Sequence, residues 1–166
     1  CSALKVDMST FECPNQCRKL CIDKNESTQA SINQVTYYLG LTADELSLIG
    51  QYPKQSLVVY QQKEIAQKIV MKNFSADRVD SESDAIRHFI WAALLTKELG
   101  PELAKKYLDA HEAGLAESDL GRAMDLANNQ AGVLTAEALK KNEACTSENI
   151  QSEAFRQLKE KKLVVL

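Results

Sequence analysis

The sequence predicts an all-α fold: a mostly helical single domain, with a short C-terminal strand as its one extended piece. Three observations carry that expectation. Apolar residues recur at spacings of three and four along most of the chain. Glycine and aromatic residues are scarce, at 6 Gly and 6% of 166 residues, which favours helices over a β-sandwich. Cap and stop residues punctuate the helical stretches.

Residues 1–36 read as a cysteine-bearing N-terminal segment and residues 37–166 as the helical domain. Pro14 and Asn15 interrupt the first part, and the polar run from Asp23 to Ser31 reads as a loop or linker. Ile32 to Leu39 fits a short helix or a strand equally well. Thr42 and Glu45 form a capping-box pattern opening a short helix over 43–49, with Gly50 as its stop. Pro53 starts a longer helix to about Asn73, with Val58, Ile65, Ile69 and Val70 as core positions. Ser81 or Ser83 caps the next, which carries Ile86, Phe89, Ile90, Leu94 and Leu95 and stops at Gly100. Pro101 starts another, with Leu103, Tyr107, Leu108 and His111 on related faces. Ser118 or Asp119 caps a helix through Met124 and Leu126 that ends near Gly132. Thr135 caps a short segment, and Ser147 caps a final helix over 148–160. Leu163 to Leu166 is apolar and β-branched, so it should dock as an extended strand.

An apolar fraction of 45% beside 26% charged residues is that of a globular domain. The net charge of −3 argues against nucleic acid as the main partner, because phosphate binding needs a dense basic face. No run approaches the ~18 apolar residues of a membrane-spanning helix.

Both histidines, the single Trp and an Asn pair fall between Ser81 and Gly132. Asp84 and His88 are four apart and Trp91 three further on, so all three share a helical face. An Asp beside a His orients the ring and raises its basicity, as acid–base work requires. Arg87 can pair with Asp84 or present its guanidinium to an anionic ligand. His111 and Glu112 are adjacent and diverge by ~100°, so only one of them should point straight at a shared site. Asp125, Asn128 and Asn129 occupy i, i+3 and i+4 of a third helix. His88, Asp84, His111 and Glu112 are therefore the candidate catalytic set. Arg87, Trp91, Asn128 and Asn129 are candidate ligand contacts, and His88, His111 and Asp125 a candidate divalent-metal set. The bland alternative is a buried His–Asp–Asn network that satisfies helix ends and fixes register, with Trp91 in the core.

The opening Cys1-Ser2-Ala3 resembles a mature bacterial lipoprotein with Cys1 lipidated, and Ser2 in place of Asp resembles the outer-membrane class. Acyl chains such as palmitate would then hold the chain to a membrane facing the periplasm or cell surface. Cys13, Cys17, Cys21 and Cys145 make an even set that suits two disulfides in an oxidising compartment, with three connectivities open. Their spacing matches neither a zinc nor an iron–sulfur pattern.

The segments Asp84-Ala-Ile-Arg87-His88-Phe-Ile-Trp91, Ala110-His111-Glu112 and Met124-Asp125-Leu126-Ala-Asn128-Asn129-Gln-Ala-Gly132 resemble a bacterial family of helical domains. Its members share Arg-His-x-x-Trp, His-Glu and Met-Asp-Leu-x-Asn-Asn-x-x-Gly motifs and occur in secreted, envelope and toxin-like proteins. The likeness spans roughly Thr42 to Leu166 and carries no reaction with it. The expected function is that of an outer-membrane-anchored lipoprotein serving as an accessory or binding subunit of an envelope assembly, with an envelope protein or peptidoglycan as partner. The alternative is a lipid-anchored envelope hydrolase acting on peptidoglycan or a lipid headgroup, metal-assisted or not.

Overall fold

Six helices make up the residues that the computed structural model describes, 40–114 and 118–166, and no strand occurs among them. Helix α1 (Ala43–Gln51) starts on the expected capping box. Thr42 Oγ1 accepts the Glu45 N–H at 3.0 Å, and Glu45 Oε2 accepts the Thr42 N–H at 2.7 Å. Gly50 does not stop it. The helix ends at Gln51 because Tyr52 precedes a proline and is pushed out of helical geometry, with φ −132 and ψ 59.

Helix α2 (Pro53–Asn73) begins on that proline and buries only Ala66 and Val70 fully. Val58 and Ile69 are half-buried, but Ile65, expected in the core, is 39% exposed. It lies ~100° around the helix from Ala66, at the edge of the inward face.

Helix α3 (Glu82–Leu99) is central. From Ser83 to Thr96 every residue except Arg87 is buried. A helix buried all round needs neighbours on several sides, and here α2 packs on it together with three later helices, α4 (Pro101–Glu112), α5 (Asp119–Lys141) and α6 (Ser147–Lys159). Ile86, Phe89, Ile90, Leu94 and Leu95 fill the core as expected, and Trp91 joins them at 1% exposure. Gly100 serves both as the end of α3 and the start of α4. Its φ of +79 is open to glycine without penalty, and Pro101 sets the first helical position beyond it.

The Ser118 hydroxyl caps α5 by accepting the Gly121 N–H at 3.0 Å. This helix does not end near Gly132, and Thr135 caps nothing. It runs unbroken to Lys141, with the Thr135 hydroxyl accepting from Gln157 at 3.0 Å. Gly132 has a packing role instead of a stopping one. A Cβ there would collide with the Phe89 carbonyl oxygen and lie 3.0 Å from Ala92 Cβ, so its absence lets α5 lie directly on α3. Met124 on this helix is buried, whereas Leu126 is 37% exposed. Thr146, one residue before the expected Ser147, caps α6.

The tail is not a strand. Leu163 is buried, and the Asn128 side chain holds Val164 at both ends, accepting its N–H at 3.0 Å and donating to its carbonyl at 2.9 Å. The Leu166 N–H reaches Asp80 O at 3.2 Å. Only Leu163 docks its side chain, since Val164, Val165 and Leu166 are exposed, and a side-chain amide and a turn carbonyl pair with the backbone, so no ladder forms.

No helix among the described residues is long and apolar enough to cross a membrane. Thr42 to Leu166 cluster as one compact unit. The expected lipid site at Cys1, the cysteines Cys13, Cys17 and Cys21, and the ambiguous segment 32–39 lie outside the described residues. Cys145 is a half-buried thiol just before α6.

Candidate functional site

A buried polar cluster sits where α3, α4 and α5 meet, and each helix supplies it for a legible reason. Asp84 occupies the first turn of α3, where a carboxylate is favoured by the helix N-terminus. Its Oδ2 accepts the Asp80 N–H at 2.8 Å, and Arg87 hydrogen-bonds its Oδ1 while reaching Asp77 at 3.1 Å. One turn on, His88 faces back toward Asp84. Its Nε2 stands 3.4 Å from Asp84 Oδ1 and 3.4 Å from Asp125 Oδ1 on α5. Its Nδ1 faces Glu112 Oε1 on α4 at 3.5 Å, and Asn129 donates to the same oxygen at 3.1 Å.

These groups are sealed: Asp84, Glu112 and Asp125 are 1% exposed, and His88 is 2% exposed. His88 is loosely bonded within them. The His88 contacts lie beyond the usual ~2.7–3.2 Å of a hydrogen bond. His88 Nδ1, Glu112 Oε2 and Asn129 Oδ1 have no hydrogen-bond partner among the described residues. Buried polar groups are nearly always paired, so three open atoms in one cluster call for an explanation.

His111 does not turn to the same point. Its Nδ1 lies 2.9 Å from Glu45 Oε1, the free oxygen of the capping-box carboxylate. Glu45 thus fixes the start of α1 through one oxygen and an imidazole of α4 through the other, and the Thr42 hydroxyl ties the same corner by donating to Ala110 O at 2.6 Å. The Trp91 and His111 rings meet in a T-shape, with centroids 5.0 Å apart, and Lys63 Nζ stands 5.5 Å from the Trp91 centroid. The two imidazole centroids are 6.4 Å apart, so the His88 and His111 groups adjoin.

The electrostatics follow from these contacts. Burial pushes the Glu45 carboxyl up, but the hydrogen bonds from His111 and the Thr42 N–H, with the charge of His111, outweigh it and hold Glu45 below the usual carboxylate value. Asp84 behaves alike: burial raises it, and His88, Arg87 and the Asp80 N–H lower it further than burial lifts it. Lys63 is pulled below its ordinary value by burial, against the upward pull of Glu45 and Glu112.

Of the residues expected from sequence, Asp84, Arg87, His88, Glu112, Asp125 and Asn129 come together, with His111 and Trp91 alongside. Asn128 does not join them, because its amide is spent on the tail. The metal set expected was His88, His111 and Asp125. The set whose ligand atoms all lie within 4.8 Å of one another is instead Asp84, His88 and Asp125. Of the adjacent pair only Glu112 points at His88, while His111 turns to Glu45, in line with their divergence around the helix. Glu45, Lys63 and Asp77 were missed. Glu45 carried a signal only as a cap, and nothing in the local pattern marks Lys63 or Asp77.

The arrangement defines an all-α domain built on a buried His–carboxylate cluster. Residues 46–162 match the model of a domain of unknown function, DUF6973, and the chain belongs to that family. The matched span contains all three motif segments quoted above. No curated protein and no solved structure matches the chain.

Proposed function

We propose that this domain is a cell-envelope hydrolase working by general acid–base catalysis, with His111 as its proton-transfer residue. The carrying observation is the 2.9 Å pairing of His111 Nδ1 with the buried Glu45 carboxylate. A carboxylate on one ring nitrogen fixes the tautomer and leaves Nε2 to take a proton from water and return it to a leaving group. Lys63 is only half-buried and is the cation of this group that an anionic substrate can meet. Peptidoglycan and lipid headgroups are the substrate classes that fit the expected outer-membrane placement and lipid anchor, which enter here as parts of the proposal.

Release of product from purified sacculi and from phospholipid vesicles tests it. The full chain should turn over one of the two, and His111→Gln and Glu45→Gln should each lower the rate by about 10²-fold or more while remaining folded. Turnover of neither substrate, or full activity in His111→Gln, removes the proposal.

A second reading, an accessory or binding subunit of an envelope assembly, is favoured by the closure of the cluster. Two cavities are lined by Asp44, Ser47, Leu48, Lys106, Asp109 and Ala110, and by residues of α4 and α5 around Asn129. Neither touches His88 or His111. An envelope complex retained by a folded His88→Ala, His111→Ala double variant in a pull-down supports that reading over the first.

A further inference from the structure

We propose that Asp84, His88 and Asp125 form a binding site for one divalent first-row metal ion, ligated by nitrogen and oxygen. The inference goes beyond the hydrolase reading and does not depend on it, since it uses none of the contacts of His111.

The geometry carries it. Nε2 of His88 is 3.4 Å from a carboxylate oxygen of Asp84 and 3.4 Å from one of Asp125, and the three ligand atoms lie within 4.8 Å of one another. A triangle of those sides has a point roughly 2.0–2.4 Å from all three corners, which is the bond length of imidazole and carboxylate to Zn2+ or Mn2+-sized ions. Separations near 3.4 Å are about the edge length of a tetrahedron built on ~2.1 Å bonds. They are too long to be good hydrogen bonds and too short to be unrelated. An ion therefore fits without moving any of the three side chains far.

The surroundings are those of a metal site on their own account. A ligating imidazole ordinarily turns its other nitrogen to a carboxylate or carbonyl that fixes the ring. Here His88 Nδ1, buried and otherwise unpartnered, faces Glu112, and Asn129 holds Glu112 in place at 3.1 Å. Asp84 is likewise oriented from outside by the Asp80 N–H and Arg87. Arg87 opposes a cation, but Asp77 shares its charge, and Asp84 Oδ1 keeps a second lone pair for the ion. Ligands from α3 and α5 would let the ion clasp the two helices whose close contact Gly132 permits. The rival account is that the cluster only fixes the packing of α3 against α5 and no metal enters.

Mn2+ is the probe of choice, because any free thiolate, such as that of Cys145, would compete for Zn2+. The full chain, stripped with EDTA, is titrated with Mn2+ and followed by loss of the free-ion paramagnetic signal and by thermal unfolding. The expected result is about one Mn2+ per chain at micromolar affinity, an unfolding midpoint several degrees higher, and affinity weakened ~100-fold or more in Asp125→Asn. Should Asp125→Asn fail to fold, Glu112→Gln serves instead, with affinity expected to fall ~10-fold through the loosened ring. A folded wild-type chain that takes up no Mn2+ at millimolar concentration overturns the site, as does unchanged affinity in a folded variant. Uptake of Mn2+ without hydrolysis would keep this site and remove the hydrolase. Hydrolysis by a chain that takes up no metal would do the reverse.

Discussion

At the scale of single residues, Glu45 holds more than its sequence position advertises. It closes the capping box of α1 and pairs with His111 across the domain, at 8% exposure. Replacing a buried, charge-assisted hydrogen-bond acceptor costs ~2 kcal/mol, so Glu45→Gln should lower the unfolding free energy at neutral pH by about that amount in urea melts. The pH dependence has a definite sign. Because Glu45 titrates below its ordinary value of 4.5 in the folded chain, its contribution is present above that value and is lost as pH falls through the lower folded one. Wild type should therefore lose stability below about pH 4.5 more steeply than Glu45→Gln, the two curves converging in acid. Parallel curves would show that the Glu45–His111 pair is not the linked group. Sequence made the cap legible, since hydroxyl and carboxylate three apart suffice for it. It could not show the second oxygen, whose partner lies 66 residues away.

Among the helices, the contact of α3 with α5 organises the rest. Gly132 lies against the α3 backbone, and a methyl group there meets the Phe89 carbonyl oxygen, which cannot rotate away. Gly132→Ala should destabilise the domain by about 3 kcal/mol, the upper part of the range for overpacking, and lower the unfolding midpoint by roughly 10 °C. A midpoint within a degree of wild type would mean that the helices separate without cost. This glycine reads as a stop signal in one dimension because glycine both ends helices and lets them approach. Only the presence of Phe89, Ala92 and Ala93 opposite decides between the two. The burial of α3 on all sides has the same character: its residues are apolar or small nearly all round, but four neighbouring helices had to be in place to make Asp84 and His88 interior.

Taken as a whole, the molecule is fastened at its C-terminus by a side chain that sequence had placed elsewhere. Asn128, a candidate ligand contact, makes two hydrogen bonds to the Val164 backbone. Asn128→Ala should cost ~2 kcal/mol, about one for each bond. It should also raise amide exchange over Val164–Leu166 while leaving α3 protected. Unchanged exchange in the tail would assign its docking to Leu163 alone.

The sequence by itself determined the helical class, most helix starts and most members of the polar cluster around His88. Prolines at 53 and 101, the box at Thr42 and the apolar spacing act within one or two turns, where local chemistry is sufficient. Tertiary structure decided which polar groups meet. It paired His111 with Glu45 and not with His88, brought Asp125 of α5 to the Asp84–His88 pair of α3, and spent Asn128 on the tail. The physical reason is that the partners in these contacts lie on different elements, and their meeting depends on how those elements pack. That packing is set by long-range contacts such as Gly132 on Phe89, which no local pattern encodes.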